Sequence, residues 1–154
     1  MLWRRAAHNE RLTDGSTIVH TAYLGLGSNL GDRKANIAEA IRLIGETVGT
    51  VERTSSLIDT APWGFDSPNR FVNAAARCLT DLSPRALLQA TQAIERAMGR
   101  TEKSRGGEYH DRTIDIDILL YDDITIDEAD LKIPHPLMAE RDFVMTPLRE
   151  IMQP

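Results

Sequence analysis

The sequence is poor in cysteine and has no excess of positive charge. Cys78 is the only cysteine in 154 residues, which excludes a disulfide framework within the chain and a zinc site built from several thiolates. The 18 Lys and Arg residues are outnumbered by 23 Asp and Glu, for a net charge of -5, whereas nucleic-acid-binding domains usually carry a basic surface. We therefore expect no nucleic-acid partner and a reducing, cytoplasmic location.

Long apolar runs are also missing. No segment approaches the roughly 20 apolar residues that span a bilayer, and the N-terminal arginines are not followed by the apolar stretch of a secretory signal. We expect no membrane partner and a monomer or weak homo-oligomer. Residues 1–20 are interpreted as a polar extension before a single domain at residues 21–154, and removal of residues 1–19 is expected to leave activity unchanged.

The hydrophobic pattern predicts an ordered series of elements. Strands are expected at residues 21–28, 50–60, 70–80 and 113–121, with helices at 34–48 and from Ser83-Pro84 to Gly99. The order β-α-β-β-α-β is that of the ferredoxin-like α+β fold, an antiparallel sheet with helices on one face. The C-terminal remainder is expected to form short strands, turns and at most a helical turn.

Two carboxylates stand out in the segment "RTIDIDILLYDD" at residues 112–123. Asp115 and Asp117 would share one face of a strand, with the isoleucines on the other face, under the helices. Neighbouring like charges are unfavourable unless neutralised, and Mg²⁺ prefers carboxylate oxygens. The alternative is a pair of solvated acids on an edge strand. Arg112 lies just before the two acids, Arg100 and Arg141 flank the segment, and all three could bind phosphate oxygens.

Other motifs indicate a flat ligand and exclude some nucleotide sites. Phe71 and Asn73 would share a strand face, where a ring can stack on a heterocycle and an amide can read its edge. Core packing alone also explains Phe71. His135 lies between two prolines, which restrict its backbone. The segment "GLGSNLG" has the spacing G-x-G-x-x-x-G, which is not that of a dinucleotide-binding turn, and no P-loop motif is present.

Five segments occur in the order in which one family has them. They are "LGLGSNLGDR", "DTAPWG", "FVNAA", "RTIDIDILLYD" and "IPHPLMAERDFVMTPL". Over about residues 21–150 the sequence resembles the 6-hydroxymethyl-7,8-dihydropterin pyrophosphokinases of folate biosynthesis. The resemblance implies the ferredoxin-like fold and the transfer of the diphosphate of ATP to the pterin hydroxymethyl group, with release of AMP.

The resemblance also implies roles for individual residues. Asp115 and Asp117 match a pair that holds two Mg²⁺ ions against ATP, and with Arg100 and Arg112 they form the expected catalytic set. The expected ATP contacts are Gln92, Glu95, Arg100, Arg112, His135 and Arg141. The expected pterin contacts are Thr60, Ala61, Trp63, Phe71, Asn73 and Phe143. Loops 61–69 and 101–111 would close as lids that exclude water.

The sequence departs from the family pattern in two places. Tyr109-His110-Asp111 precede Arg112 where the family usually has an aromatic residue followed by Gly-Pro, and Pro136 follows His135 where an aromatic is expected. Two other functions use the same residues. A metal-dependent phosphohydrolase would direct water at the phosphate, and a non-catalytic ferredoxin-like module would bind a metabolite or a partner.

Overall fold

A computed structural model describes residues 18–62, 67–99 and 112–152. Residues 1–17 of the predicted extension, the residues Trp63 and Arg100, and the loop at 101–111 lie outside the described residues. The strands are β1 (His20–Ser28), β2 (Gly49–Thr54), β3 (Ile58–Thr60), β4 (Phe71–Thr80), β5 (Asp115–Tyr121), β6 (Ile126–Asp127) and β7 (Lys132–Ile133). The helices are α1 (Arg33–Thr47), α2 (Pro84–Ala97) and α3 (Asp142–Met152), with a 3₁₀ turn at Met138–Glu140 before α3.

Both predicted helix starts are confirmed by their caps. The Asp32 side chain accepts a hydrogen bond of 3.1 Å from the backbone N–H of Ala35, and the Ser83 hydroxyl accepts one of 3.2 Å from Ala86 N–H. Pro84 is the first residue of α2, where its missing N–H would have had no partner within the helix. Each cap satisfies a backbone donor that the helix leaves open.

The main sheet has the strand order β2-β4-β1-β5, with β3 also paired to β4. Every strand pair in it is antiparallel. This order and the placement of α1 and α2 confirm the predicted ferredoxin-like fold. A buried cluster lies between one sheet face and these two helices, and it includes Leu24, Leu26, Ile37, Ile44, Ala76, Leu87 and Ile94.

Strand β5 turns its two faces as the sequence predicts. Ile114, Ile116 and Ile118 belong to the buried cluster, so the two aspartates project from the opposite face. The pairing of β5 with β1 shifts register between Tyr23 and Leu24, and beyond this irregularity Tyr121 rather than Leu120 turns inward. The Tyr121 ring is 2% exposed, and its hydroxyl donates a 2.6 Å hydrogen bond to the Leu82 carbonyl.

The segment predicted as one strand at 50–60 divides into β2 and β3. At the break, Ser55 N–H donates to the Ala75 carbonyl at 2.9 Å, and the Ser55 hydroxyl accepts from Ala75 N–H at 2.9 Å. A side chain here takes the place of the backbone carbonyl that would have continued the ladder. The segment is rich in β-branched residues and therefore predicts one continuous strand. Its composition does not indicate that a side chain takes over the pairing at Ser55.

Helix α3 was missed because Pro147 lies inside it. Proline removes a helical hydrogen bond and usually ends a helix, but burial of Leu148 and Ile151 compensates in this case. These two residues lie outside the cluster under α1 and α2, and α3 packs mainly on β4. The third helix therefore covers part of the opposite sheet face. None of the described helices is long and apolar enough to cross a membrane.

Candidate active site

The sheet face opposite α1 and α2 carries polar residues in register on three adjacent strands. On β1, Gly27 pairs with Asn73 of β4 on one side and with Asp115 of β5 on the other. Two residues earlier, Gly25 pairs with Asp117. Because paired residues share a face, Asp115 and Asn73 flank a position that has no side chain.

Each acid of the pair has a basic residue beside it. Arg112 Nη1 lies 3.1 Å from Asp115 Oδ2, and the two side chains are 9% and 16% exposed. His135 Nε2 lies 3.9 Å from Asp117 Oδ1, and the backbone N–H of His135 is held by the Leu119 carbonyl at 3.0 Å. The predicted neighbourhood of carboxylates, arginine and histidine is therefore present on one end of β5.

Arg112 also reaches the aromatic side of the site. Its guanidinium carbon lies 5.5 Å from the centre of the Phe71 ring, within the range of a cation–π contact. Its backbone is fixed by Asn29, whose Oδ1 accepts from Arg112 N–H at 2.6 Å and whose own N–H donates to the Arg112 carbonyl at 3.0 Å. Asn29 was overlooked because "NLGD" reads only as a turn.

Glu95 lies beneath the acid pair. It projects from α2, is 3% exposed, and its Oε2 accepts a 2.8 Å hydrogen bond from the backbone N–H of Ile116. Ile116 separates Asp115 from Asp117, so Glu95 fixes the backbone between the two acids. Gln92 is half-buried one turn earlier on α2.

Strand β4 carries an aromatic ring, Phe71, and a side-chain amide, Asn73, on the site. Phe71 is 9% and Asn73 5% exposed. Asn73 Nδ2 donates to the Thr60 hydroxyl at 2.7 Å, while Asn73 Oδ1 accepts no hydrogen bond from any residue of the described ranges. Ala61, the next residue after Thr60, is exposed. This end of β4 therefore presents a ring and an available carbonyl oxygen.

Arg141 and Phe143 meet at the start of α3. Arg141 is 7% exposed, and its guanidinium carbon lies 5.8 Å from the centre of the Phe143 ring. The Gln92 side chain makes no hydrogen bond with another described residue. Of the predicted set, Trp63 and Arg100 are the two whose positions lie outside the described residues.

A charged cluster that the sequence analysis did not identify borders β3 and β4. Asp59 forms ion pairs with Arg70, through Nε, and with Arg33, whose Nη1 lies 3.2 Å from Asp59 Oδ2. The hydrogen bond from Arg70 holds the pKa of the Asp59 carboxyl below its usual range. These three side chains line a cavity of about 350 Å³ together with Asn29, Leu30, Gly31, Pro68 and Asn69.

The acid pair, Arg112 and the aromatic ring on one face of a ferredoxin-like sheet have the chemistry that a phosphoryl-transfer enzyme uses. Residues 23–153 match the family described as 7,8-dihydro-6-hydroxymethylpterin-pyrophosphokinase (HPPK). The chain belongs to this family.

Curated relatives agree with that assignment. A 2-amino-4-hydroxy-6-hydroxymethyldihydropteridine pyrophosphokinase of Porphyromonas gingivalis is 48% identical over 130 residues, which cover 84% of this chain and 88% of the relative. The Bacillus subtilis enzyme of the same name is 43% identical, with 86% and 78% covered. The folic acid synthesis protein FOL1 of Dictyostelium discoideum is 42% identical over 89% of this chain but only 20% of its own length.

Solved structures show the same fold. In wild-type Plasmodium falciparum HPPK-DHPS with pterin and p-hydroxybenzoate, the match covers 95% of this chain and 40% of that chain, at 17% identity and a TM-score of 0.70. The A437G variant with SDX-DHP matches at 16% identity and a TM-score of 0.71, over 95% and 43% of the two chains. At these identities the likeness concerns the fold alone.

Family membership establishes the reaction. The chain is an ATP-dependent diphosphotransferase of folate biosynthesis, which transfers the diphosphate of ATP to 6-hydroxymethyl-7,8-dihydropterin and releases AMP. It is therefore neither a phosphohydrolase nor a non-catalytic module, the two alternatives that the sequence motifs left open.

Proposed function

We propose that the transfer takes place on the sheet face of β1, β4 and β5, with the nucleotide on the β5 side and the pterin on the β4 side. The observation that carries this assignment is the row Asp115–Gly27–Asn73 across three adjacent strands. It sets the acids beside the amide with only a glycine between them. Two substrates bound on these two sides would meet over Gly27, and such alignment accounts for much of the catalysis of phosphoryl transfer.

The acid pair fits a hard divalent cation. Asp115 and Asp117 offer only oxygen donors, on one face, and their side chains are 16% and 22% exposed. The structure places no group of three or more His, Cys, Asp or Glu side chains for a metal among its described residues, so coordination would be completed by substrate phosphates and water, as is usual for Mg²⁺. Two Mg²⁺ ions bound there would neutralise phosphate charge.

Cationic side chains would hold the phosphates of ATP. Arg112 lies beside Asp115 and offers a planar fork of donors that suits phosphate oxygens. Arg100, Arg141 and His135 are assigned to the same substrate, with Gln92 and Glu95 lining the nucleotide side from α2. Because Glu95 also holds Ile116 N–H, it would set the spacing of the two acids toward the phosphates.

The pterin would lie between aromatic rings. Phe71 and Phe143 are assigned to its two faces, and Thr60, Ala61 and Trp63 to the adjoining loop. Asn73 would read the edge of the heterocycle: its Nδ2 is engaged by Thr60, which leaves Oδ1 to accept from a ring N–H. Arg112 contacts both Phe71 and Asp115. It would therefore hold the pterin side and the nucleotide side of the site in a fixed relative position.

A kinetic comparison tests the division of the site into two sides. With ATP, Mg²⁺ and hydroxymethyl-dihydropterin, AMP should form only when the pterin is present. Asn73→Ala should raise the KM for the pterin about tenfold or more, in line with about 1.4 kcal/mol for a lost recognition contact, with the KM for ATP nearly unchanged. An equal rise in both KM values would contradict the proposed placement of the pterin.

Three further properties stay predictions. We expect a monomer or weak homo-oligomer without a nucleic-acid partner, and a cytoplasmic location. Sedimentation and cell fractionation would test them.

A further inference from the structure

We infer that Gly27 is a specificity-determining residue of the transfer. The absence of a side chain at Gly27 keeps open the space between the acid pair and the side-chain amide of Asn73. This inference rests on the proposed assignment of the pterin to the β4 side. Gly27 lies at the centre of the row that joins Asp115 to Asn73, and any atom added there would enter the space where the two substrates meet.

A methyl group on Gly27 would be crowded by the side chains around it. A Cβ on Gly27 would lie 3.0 Å from Asn73 Oδ1 and 3.5 Å from Cδ1 of the Phe71 ring. Both side chains are assigned to the pterin, and they are 5% and 9% exposed. Asn73 is further restrained by its 2.7 Å hydrogen bond to Thr60, so the amide can retreat only by weakening that bond.

The orientation of Asn73 provides a second, independent indication. Its Oδ1 accepts no hydrogen bond from any residue in the described part of the chain, although the side chain is almost fully buried. Among the described residues, this oxygen is not one of the fully buried side-chain atoms without a partner, so it stays accessible to a ligand donor. The open space over Gly27 is where a ligand N–H can reach this oxygen, so a methyl group would block the partner as well as displace the amide.

Gly25 provides a matched control two residues earlier on the same strand face. The three heavy atoms nearest to a Cβ on Gly25 would all belong to the Leu119 side chain, at 3.4 Å or more, which is ordinary van der Waals contact. Gly25→Ala and Gly27→Ala therefore add the same methyl group to the same strand and face. They differ in whether that methyl group meets the aliphatic side chain of Leu119 or the side-chain amide of Asn73.

The experiment compares the two variants in steady-state kinetics and in melting temperature. Gly27→Ala should raise the KM for the pterin at least about tenfold, or lower kcat to that extent, which corresponds to about 1.4 kcal/mol. The KM for ATP should stay within about twofold of wild type, because the acids and Arg112 are untouched. Gly25→Ala should leave all three constants within about threefold.

The outcomes separate this inference from the assignment beneath it. If Asn73→Ala changes the KM for ATP rather than for the pterin, the placement of the substrates fails. If Asn73→Ala behaves as proposed but Gly27→Ala equals Gly25→Ala, or impairs both substrates alike, only the inference fails. Should Gly27→Ala not fold, recovery of folding in Gly27→Ala/Asn73→Ala would support the clash, and continued failure would overturn it.

Discussion

Arg112 and Asp115 form an ion pair of 3.1 Å between Nη1 and Oδ2, and the same guanidinium lies over the Phe71 ring at 5.5 Å. Arg112→Lys keeps the charge but loses the planar fork and the stacking surface. We expect kcat/KM to fall about 10- to 100-fold, which corresponds to about 1.5–3 kcal/mol for a charge-assisted hydrogen bond. Steady-state assays of both substrates measure this.

Arg77→Lys is the control for that substitution. Arg77 also pairs with a carboxylate, Glu52, at 2.8 Å, and its guanidinium carbon lies 5.8 Å from the centre of the Tyr23 ring. It has no assigned role, so its replacement should leave kinetics within about twofold of wild type, as surface substitutions usually do. A similar fall in kcat/KM in both variants would show that replacement of any paired arginine lowers activity. The effect at Arg112 would then not be specific to the site.

Removal of either acid should abolish most of the activity without unfolding the protein. Asp115→Ala and Asp117→Ala are expected to lower kcat about 100-fold or more and to weaken magnesium-dependent nucleotide binding, which calorimetry with a non-hydrolysable ATP analogue would measure. The fold should persist because both acids point away from the isoleucine core. Asp127→Ala, at a side chain 81% exposed and paired with Lys132, is the control. Near-normal rates in either acid variant would refute the metal assignment.

Glu95 should affect stability as well as activity. Glu95→Ala leaves the Ile116 N–H without its acceptor, and an unsatisfied buried donor costs about 1–3 kcal/mol. Glu95→Gln retains an acceptor oxygen and should lose less. Urea unfolding of both variants measures the difference, and equal stability of Glu95→Ala and wild type would show that the hydrogen bond contributes nothing to the fold.

Cys78 should be inert in the native protein. Burial raises the pKa of its thiol to about 12 from an ordinary 9.0, with a smaller effect from Glu52. At pH 8, iodoacetamide should label the protein only after unfolding, because the thiolate is the reactive form. Since the unfolded chain ionises this thiol first, its contribution to stability is complete below pH 9.0 and decreases toward pH 12. Rapid labelling of the native protein would contradict this.

The sequence predicts the fold well where the signal is local. Ser83-Pro84 and Asp32 mark helix starts by their own side chains, and the alternation in β5 correctly assigns the aspartates to the open face. Helix α3 was missed because Pro147 locally opposes a helix that tertiary burial of Leu148 and Ile151 stabilises. The break at Ser55 depends on contacts with Ala75, twenty residues away.

The site shows the same limit. The motifs indicate the acids, Phe71 and Asn73 as candidates, but not Asn29 or the close contacts around Gly27, because both depend on strands and loops far apart in sequence. Glu95 was assigned to ATP by resemblance, whereas its contact with Ile116 emerges only when α2 packs against β5. Residues that hold other residues in place leave weak signals in a single sequence.

The hydrogen bond from Ile116 to Glu95 has a consequence for association. In the strand order, β5 is an outer strand of the sheet, and Ile116 N–H points away from β1 toward α2. Exposed outer strands can recruit a strand from another molecule and so begin aggregation. By occupying this donor, the Glu95 carboxylate leaves an incoming strand one fewer backbone group to pair with, so the contact beneath the acids also makes the outer edge of β5 less available for pairing.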